Sequence, residues 1–89
     1  MPTDNQTHVL NFLHAITGIP AAQIEANNLD TALKDPPLSM DDPSLAFLAS
    51  MVRAYIQNIN PAQTFFVQEA RTPGLTVRGL IDLVNVKIP

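Results

Sequence analysis

The segment 42–59 constrains the fold of this chain most strongly, because a helix start signal is followed there by an uninterrupted helical period. Asp42 is predicted to cap the helix with its carboxylate, and Pro43 to take the first helical position, where its missing N–H costs nothing. The apolar side chains fall on one face in steps of about 100°, namely Leu45, Leu48, Ala49, Val52, Tyr55, Ile56 and Ile59. Other elements of the fold therefore have to pack against this face.

Helical signals also mark the two ends of the chain. Residues 4–17 follow a capping box of Thr3 and Gln6 and end before Gly18, which suits the left-handed position after a helix. Their apolar face consists of Val9, Phe12, Leu13 and Ile16. Thr76 is predicted to cap the last helix, whose apolar face consists of Val77, Leu80, Ile81 and Val84.

Two further segments are predicted to form short helical pieces. Residues 20–26 are expected to make one turn with Ile24 directed inward. Residues 61–69 follow a second cap-then-proline signal and are predicted to form a short helix with Phe65 and Phe66 buried.

Residues 27–43 differ from the rest of the chain, because three prolines and several acids interrupt any helical period. A segment this long inside a small domain is usually functional or mobile. We predict an ordered surface loop with a helical turn at residues 30–34. Its apolar anchors are Leu29, Leu33, Leu38 and Met40.

Composition limits the class of protein. Residues 1–89 are expected to form a single all-α domain, a bundle of three long helices plus one short helix. The absence of cysteine excludes disulfides and thiolate metal sites, and it favours the reducing cytoplasm. A net charge of −3 with five scattered basic residues is unlike a nucleic-acid module. No apolar run has the length of a membrane span, so we expect no membrane partner. We also expect a cytoplasmic monomer without nucleic-acid partners.

Ser44 is the main candidate functional residue, because it is predicted to lie in the first turn of the helix 43–59. Free backbone N–H groups and the positive end of the helix dipole stabilise an anion there. Ser44 is therefore a candidate to bear a phosphate-linked group. The alternative is structural, since serine is common in first turns, where its hydroxyl bonds to the backbone.

Three segments together resemble the acyl carrier proteins. Residues 17–24 resemble the turn after the first helix of that family, residues 44–48 its Ser-Leu helix start, and residues 75–84 its final helix. The resemblance implies an acyl-carrier-like bundle that carries 4′-phosphopantetheine covalently on Ser44 and has no enzymatic activity of its own. Its implied partners are a phosphopantetheinyl transferase and acyl-processing enzymes, such as an acyl-carrier synthetase, a ketosynthase or an acyltransferase.

Ser39 is the rival attachment residue, since residues 38–41 also resemble a Ser-Leu start. A helix beginning there would enclose Pro43, which costs about 3 kcal/mol inside a helix. Phe47-Leu48 and the segment 65–69 are similar to the specialised carriers that serve lipid A and other dedicated acyl chemistry.

The chain also differs from the family pattern in three places. Pro43 stands between the acid and Ser44, the preceding loop is longer than usual, and the helix after Ser44 lacks the acids that dock basic partners. Phe47 and Met51 share the helix strip of Ser44, and three interpretations of them remain open. They cover the short helix, they line an acyl pocket with Leu48, Val52 and Phe65, or they form an exposed apolar docking patch.

Other residue patterns give weaker signals. His8 and His14 are six residues apart on a helix and point in different directions, so they cannot share a metal. Asp41 and Asp42 are explained by helix capping, although the resemblance also implies a role in holding a transferase's metal ion. No serine–histidine pair has an orienting third group, which disfavours a small acyl-transfer enzyme. The competing function is a carrier-like helical interaction module that is never modified.

Overall fold

The computed structural model describes residues 4–27, 29–36 and 38–88, and it confirms the all-α class. These residues form the helices α1 (Asp4–Thr17), α2 (Ala21–Asn27), α3 (Asp42–Ile59), α4 (Val67–Ala70) and α5 (Val77–Lys87). No strand occurs among them, and the single antiparallel bridge joins Ala32 to Thr76. None of the helices within these ranges is both long enough and apolar enough to cross a membrane. The proposed capping residue Thr3 lies outside the described residues.

The core is built on α3, which packs against α1, α4 and α5. Each of the three longer helices contributes side chains without solvent exposure, namely Val9 and Leu13 from α1, Leu45, Leu48, Val52 and Ile56 from α3, and Val77, Leu80 and Val84 from α5. Burying one such side chain stabilises the fold by about 1.5–3 kcal/mol. The apolar faces predicted for α1, α3 and α5 therefore meet in one core, except at the end of α3, which is described below.

A polar network ties the three longer helices together at one end of the core. The Tyr55 hydroxyl donates to Asn5 Oδ1 at 2.6 Å. The Asn5 amide nitrogen donates to Asn85 Oδ1 and to the Ile88 carbonyl, both at 2.8 Å. Asn5 is 9% exposed, so these bonds replace those that water would make.

The turn after α1 follows the prediction. Gly18 has a φ of +79° and donates its N–H to the His14 carbonyl at 2.8 Å, which is the left-handed end expected of glycine. The expected single turn at 20–26 extends to the seven residues of α2. The Ile24 side chain is buried, as predicted.

The loop before α3 is ordered and fixed by its apolar anchors, as expected. Leu33, Leu38 and Met40 are buried, and Leu29 packs partly against the core. The predicted helical turn at 30–34 is wrong, because this backbone pairs with the segment before α5 instead. Leu33 N–H donates to the Leu75 carbonyl at 2.9 Å, and Arg78 N–H to the Leu29 carbonyl at 2.7 Å.

The predicted helix 61–69 is also wrong in its bounds and in one buried residue. After Asn60 the chain makes a turn, and α4 begins only at Val67. Phe66 precedes α4 in an extended conformation, with φ −94° and ψ 151°. Successive side chains of extended backbone point to opposite sides. Phe65 is consequently 2% exposed, whereas Phe66 is 59% exposed.

The apolar face of α3 ends one turn earlier than predicted. Ile56 is the last buried residue of the helix, and Ile59 at its end is 54% exposed. Tyr55 is half-buried, since its hydroxyl reaches the polar network described above.

Candidate attachment site at the start of α3

The first turn of α3 is wound as predicted, but its cap is Asp41 and not Asp42. The Asp41 carboxylate accepts from the Ser44 N–H at 2.9 Å, and the Asp41 carbonyl accepts the first helical bond, from the Leu45 N–H. Asp42 is thus the first helical residue and Pro43 the second. Either position leaves the missing proline N–H without cost, because the first four N–H groups of a helix have no helical partner.

Ser44 lies at the third helical position with a half-buried side chain. The Ser44 hydroxyl beside Asp41, and then the Ser44 N–H that donates to its carboxylate, lower the pKa of Asp41 from its ordinary value of 3.8. Asp41 is exposed, so it remains ionised at neutral pH. The Ser44 side chain therefore lies next to a charged carboxylate that solvent can reach.

The same bonds change the electrostatics expected at this turn. The Ser44 N–H already donates to Asp41, and Pro43 has no N–H. Two of the N–H groups expected to bind an anion are therefore not available to it. What remains is the helix dipole and two cations. Any anion on Ser44 would also face the carboxylates of Asp41 and Asp42.

The two cations come from segments that the local sequence pattern did not connect with α3. Lys34 Nζ lies 3.7 Å and Arg71 Nε 3.9 Å from Asp42 Oδ1. Arg71 Nη2 also donates to the Asp42 carbonyl at 3.1 Å. All three side chains are largely exposed, so the pairs add little stability. The charges of Lys34 and Arg71 balance those of Asp41 and Asp42, so the formal charge around the turn is zero.

The other serines have different surroundings. Ser39 is exposed, lies outside α3 and has a φ of +46°, a conformation that L-residues seldom adopt. Its N–H donates to the Asp35 carbonyl at 2.9 Å, within the loop. Ser50 is exposed in the middle of α3. Of the three serines, Ser44 alone occupies the first turn of the helix.

Phe47 and Met51 differ in their exposure. Phe47 is 61% exposed and Met51 is half-buried. Neither lines the groove between α3 and the segment that leads into α4, whose α3 side consists of Ala49, Ser50 and Arg53. Phe47 is thus an exposed apolar side chain one turn after Ser44, and its docking role stays a prediction.

The side chains proposed to line an acyl pocket are core residues. Leu48 and Val52 have no exposure, and Phe65 is 2% exposed. The described groove nearby opens on the surface beside Phe65 and does not include Leu48 or Val52.

Each histidine has a different contact. The His8 ring stacks on Tyr55 with centroids 4.4 Å apart, and His14 Nδ1 lies 2.9 Å from the Ile19 carbonyl. Within the described ranges, no group of three or more histidine and carboxylate side chains is arranged to hold a metal ion.

Comparisons with known proteins give no assignment of this site. The chain has no significant match among protein-family models, curated proteins or solved structures. The all-α fold and the geometry around Ser44 are therefore the observations on which a functional proposal has to rest.

Proposed function

We propose that this chain is an acyl carrier that presents an acyl thioester on a 4′-phosphopantetheine arm attached to Ser44, in a specialised lipid or related acyl biosynthesis. The observation that supports it most is the position of Ser44, in the first turn of the longest helix and next to the exposed carboxylate that caps it. The order of the three segments similar to the carrier family supports it independently of that geometry.

The residues around Ser44 fit a covalent phosphodiester. The side chain is partly open to solvent at an end of the helix, so an attached arm can extend outward. The positive end of the α3 dipole favours the added negative charge. Lys34 and Arg71, which now pair with Asp42, offset the carboxylates on the same turn.

Attachment is a substitution at phosphorus. The Ser44 oxygen forms a bond to the pantetheine phosphate of coenzyme A, the bond to the adenosine bisphosphate leaving group breaks, and the hydroxyl proton passes to a base. The Asp41 carboxylate, which accepts from the Ser44 N–H, lies beside the attacking oxygen. When bound, the arm supplies a thiol that holds the acyl group as a thioester; the chain itself performs no catalysis.

Partner recognition at this site is proposed to be apolar. The helix residues after Asp42 include no acid, and Phe47 lies one turn beyond Ser44 with 61% of its surface exposed. Partners that bury Phe47 gain affinity from apolar area, whereas charged surfaces mainly increase association rates. These partners are a phosphopantetheinyl transferase and acyl-processing enzymes, which act on a monomeric carrier in the cytoplasm.

Intact-mass measurement tests the proposal. The chain is incubated with coenzyme A and a broad-specificity phosphopantetheinyl transferase, beside the variants Ser44→Ala, Ser39→Ala and Ser50→Ala. We expect one phosphopantetheine increment in the unaltered chain and in the Ser39 and Ser50 variants, and none in Ser44→Ala. An increment that persists in Ser44→Ala, or that no transferase produces, contradicts the proposal.

A second candidate function has its own supporting observation. The Ser44 N–H donates to the Asp41 carboxylate at 2.9 Å, an ordinary capping bond that gives Ser44 a purely structural place in the first turn. In that case the chain is an unmodified helical interaction module whose exposed Phe47 contacts a partner. Absence of the mass increment with several transferases favours this alternative.

A further inference from the structure

A surface groove separates α3 from the segment that leads into α4. Its walls are Ala49, Ser50 and Arg53 on α3, and residues 65–68 on the other side. Its volume is about 260 Å³. The buried Phe65 ring forms part of the floor, and Phe66 stands at the rim with 59% of its surface exposed.

Arg53 differs from every other basic residue of the chain. The other four each form an ion pair, Lys34 and Arg71 with Asp42, Arg78 with Asp30, and Lys87 with Glu69. Among the described residues, no carboxylate lies within ion-pair distance of Arg53. The guanidinium at this groove is therefore available to an external anion.

The acid nearest in sequence to the groove is already engaged. Glu69 accepts from the Phe66 N–H through Oε2 at 2.8 Å, and its Oε1 lies 3.2 Å from Lys87 Nζ. The residues that line the groove include no acid. The groove therefore combines a mixed polar and apolar lining and the exposed Phe66 ring at its rim with one positive charge that no described carboxylate pairs.

The dimensions indicate what kind of ligand fits. Small-molecule sites are usually concave cavities of about 300–1,000 Å³ that enclose most of their ligand. This groove is smaller and open to solvent, so it is sized for one side chain, and the exposed Phe66 ring favours an apolar one. Exposed aromatic side chains and arginine are also the residues enriched at protein interfaces.

We propose that this groove binds a segment of a partner protein that presents a large apolar side chain next to an aspartate or glutamate. The apolar side chain packs on the exposed Phe66 ring, and the carboxylate pairs with Arg53. Arg53 lies nine positions after Ser44, which places the two residues about 180° apart around α3. The groove is therefore distinct from the attachment site, and the inference goes beyond the proposed function and does not require it.

The probe for the test is a blocked synthetic peptide in which leucine and phenylalanine are flanked by aspartates. Its control is the same peptide with asparagine in place of each aspartate. Backbone amide shifts of the isotope-labelled full chain are followed by NMR during titration. We expect saturating shifts confined to residues 49–53 and 65–68, and about three- to fivefold weaker binding of the asparagine peptide, the upper part of the range for an exposed ion pair.

Matched variants identify the residues responsible. Arg53→Gln should weaken binding of the aspartate peptide by the same three- to fivefold, whereas Arg78→Gln, with the same charge change, should not. Phe66→Ala should abolish the saturating shifts, whereas Phe47→Ala, which removes an equally exposed ring elsewhere, should leave them. Both aromatic positions are exposed, so neither variant threatens folding.

Several outcomes overturn the inference. These are equal binding of the two peptides, shifts centred outside the groove, and absence of shifts at millimolar peptide. Groove shifts that grow with protein concentration alone also overturn it, because they would identify a second copy of the chain as the occupant.

Discussion

Replacing Asn5 with alanine should be among the more damaging single changes at a polar position of this chain. Asn5 makes three hydrogen bonds of 2.6–2.8 Å, to Tyr55, Asn85 and the Ile88 carbonyl, and it is 9% exposed. A buried polar group left without a partner costs about 1–3 kcal/mol. Asn5→Ala removes three bonds at once, but water can reach part of the site and limits the cost. We therefore expect a loss of about 2–3 kcal/mol. That is a large share of a typical stability of about 5–15 kcal/mol.

The measurement is urea unfolding followed by circular dichroism, with Tyr55→Phe and the double variant as companions. Tyr55→Phe removes one bond and should cost about 1 kcal/mol. Because Asn5 and Tyr55 share that bond, the double variant should lose about 1 kcal/mol less than the sum of the single losses. A loss below about 0.5 kcal/mol for Asn5→Ala, or strict additivity in the cycle, would refute this account of the network.

Three further predictions concern α3 and the segment before α4. Asp41→Asn should remove a pH dependence of the free energy of unfolding. Ser44 lowers the folded-state pKa of Asp41. The stabilisation by the ionised carboxylate is therefore present above the unfolded pKa of about 3.8 and is lost as pH falls through the lower folded pKa. Urea unfolding from pH 2 to 6 measures this, and an unchanged profile in the variant contradicts it. Phe47→Glu should change stability by less than about 0.5 kcal/mol but slow modification of Ser44 by any phosphopantetheinyl transferase that accepts the unaltered chain; equal modification rates would exclude an apolar docking role. Phe65→Ala should cost about 3–5 kcal/mol and Phe66→Ala less than about 0.5 kcal/mol, and similar unfolding midpoints for both would contradict the orientation of these rings.

Much of the helical framework could be predicted because its signals are local. The period of α3 and the caps at Gly18 and Thr76 depend on residues within a few positions of one another. The Thr76 hydroxyl accepts from the Gly79 N–H at 3.0 Å, as its position indicates. The apolar anchors of the loop are also predictable, because leucines in a polar segment lower the free energy of the fold when they are buried.

The errors lie where a tertiary contact or a one-residue shift decides. Asp41 and Asp42 are both good caps, and only the backbone shows that Asp41 accepts the first helical bond. The pairing of residue 33 with residue 75 joins distant parts of the chain, so no local pattern predicts it. The prediction that Phe66 is buried assumes a helix at 61–69. The backbone at Phe66 is extended instead.

The surroundings of the candidate site are the least predictable part. Ser44 can be selected from its neighbours in the sequence, and it does lie in the first turn of α3. Lys34 and Arg71 reach that turn only through the folding of the loop and of the segment after α4. No carboxylate of the described ranges pairs with Arg53. This also depends on the folded positions of acids in other elements, which no local pattern gives.

Fragment-ion mass spectrometry of the transferase-treated chain tests the central proposal most directly. Trypsin releases residues 35–53 as one peptide, which contains all three serines, so fragment ions are needed to separate them. We expect the phosphopantetheine mass on fragments that include Ser44 and on none that contain only Ser39 or only Ser50. Modification at either of those serines, or an unmodified peptide after treatment with several transferases, would contradict the assignment of Ser44 as the attachment residue.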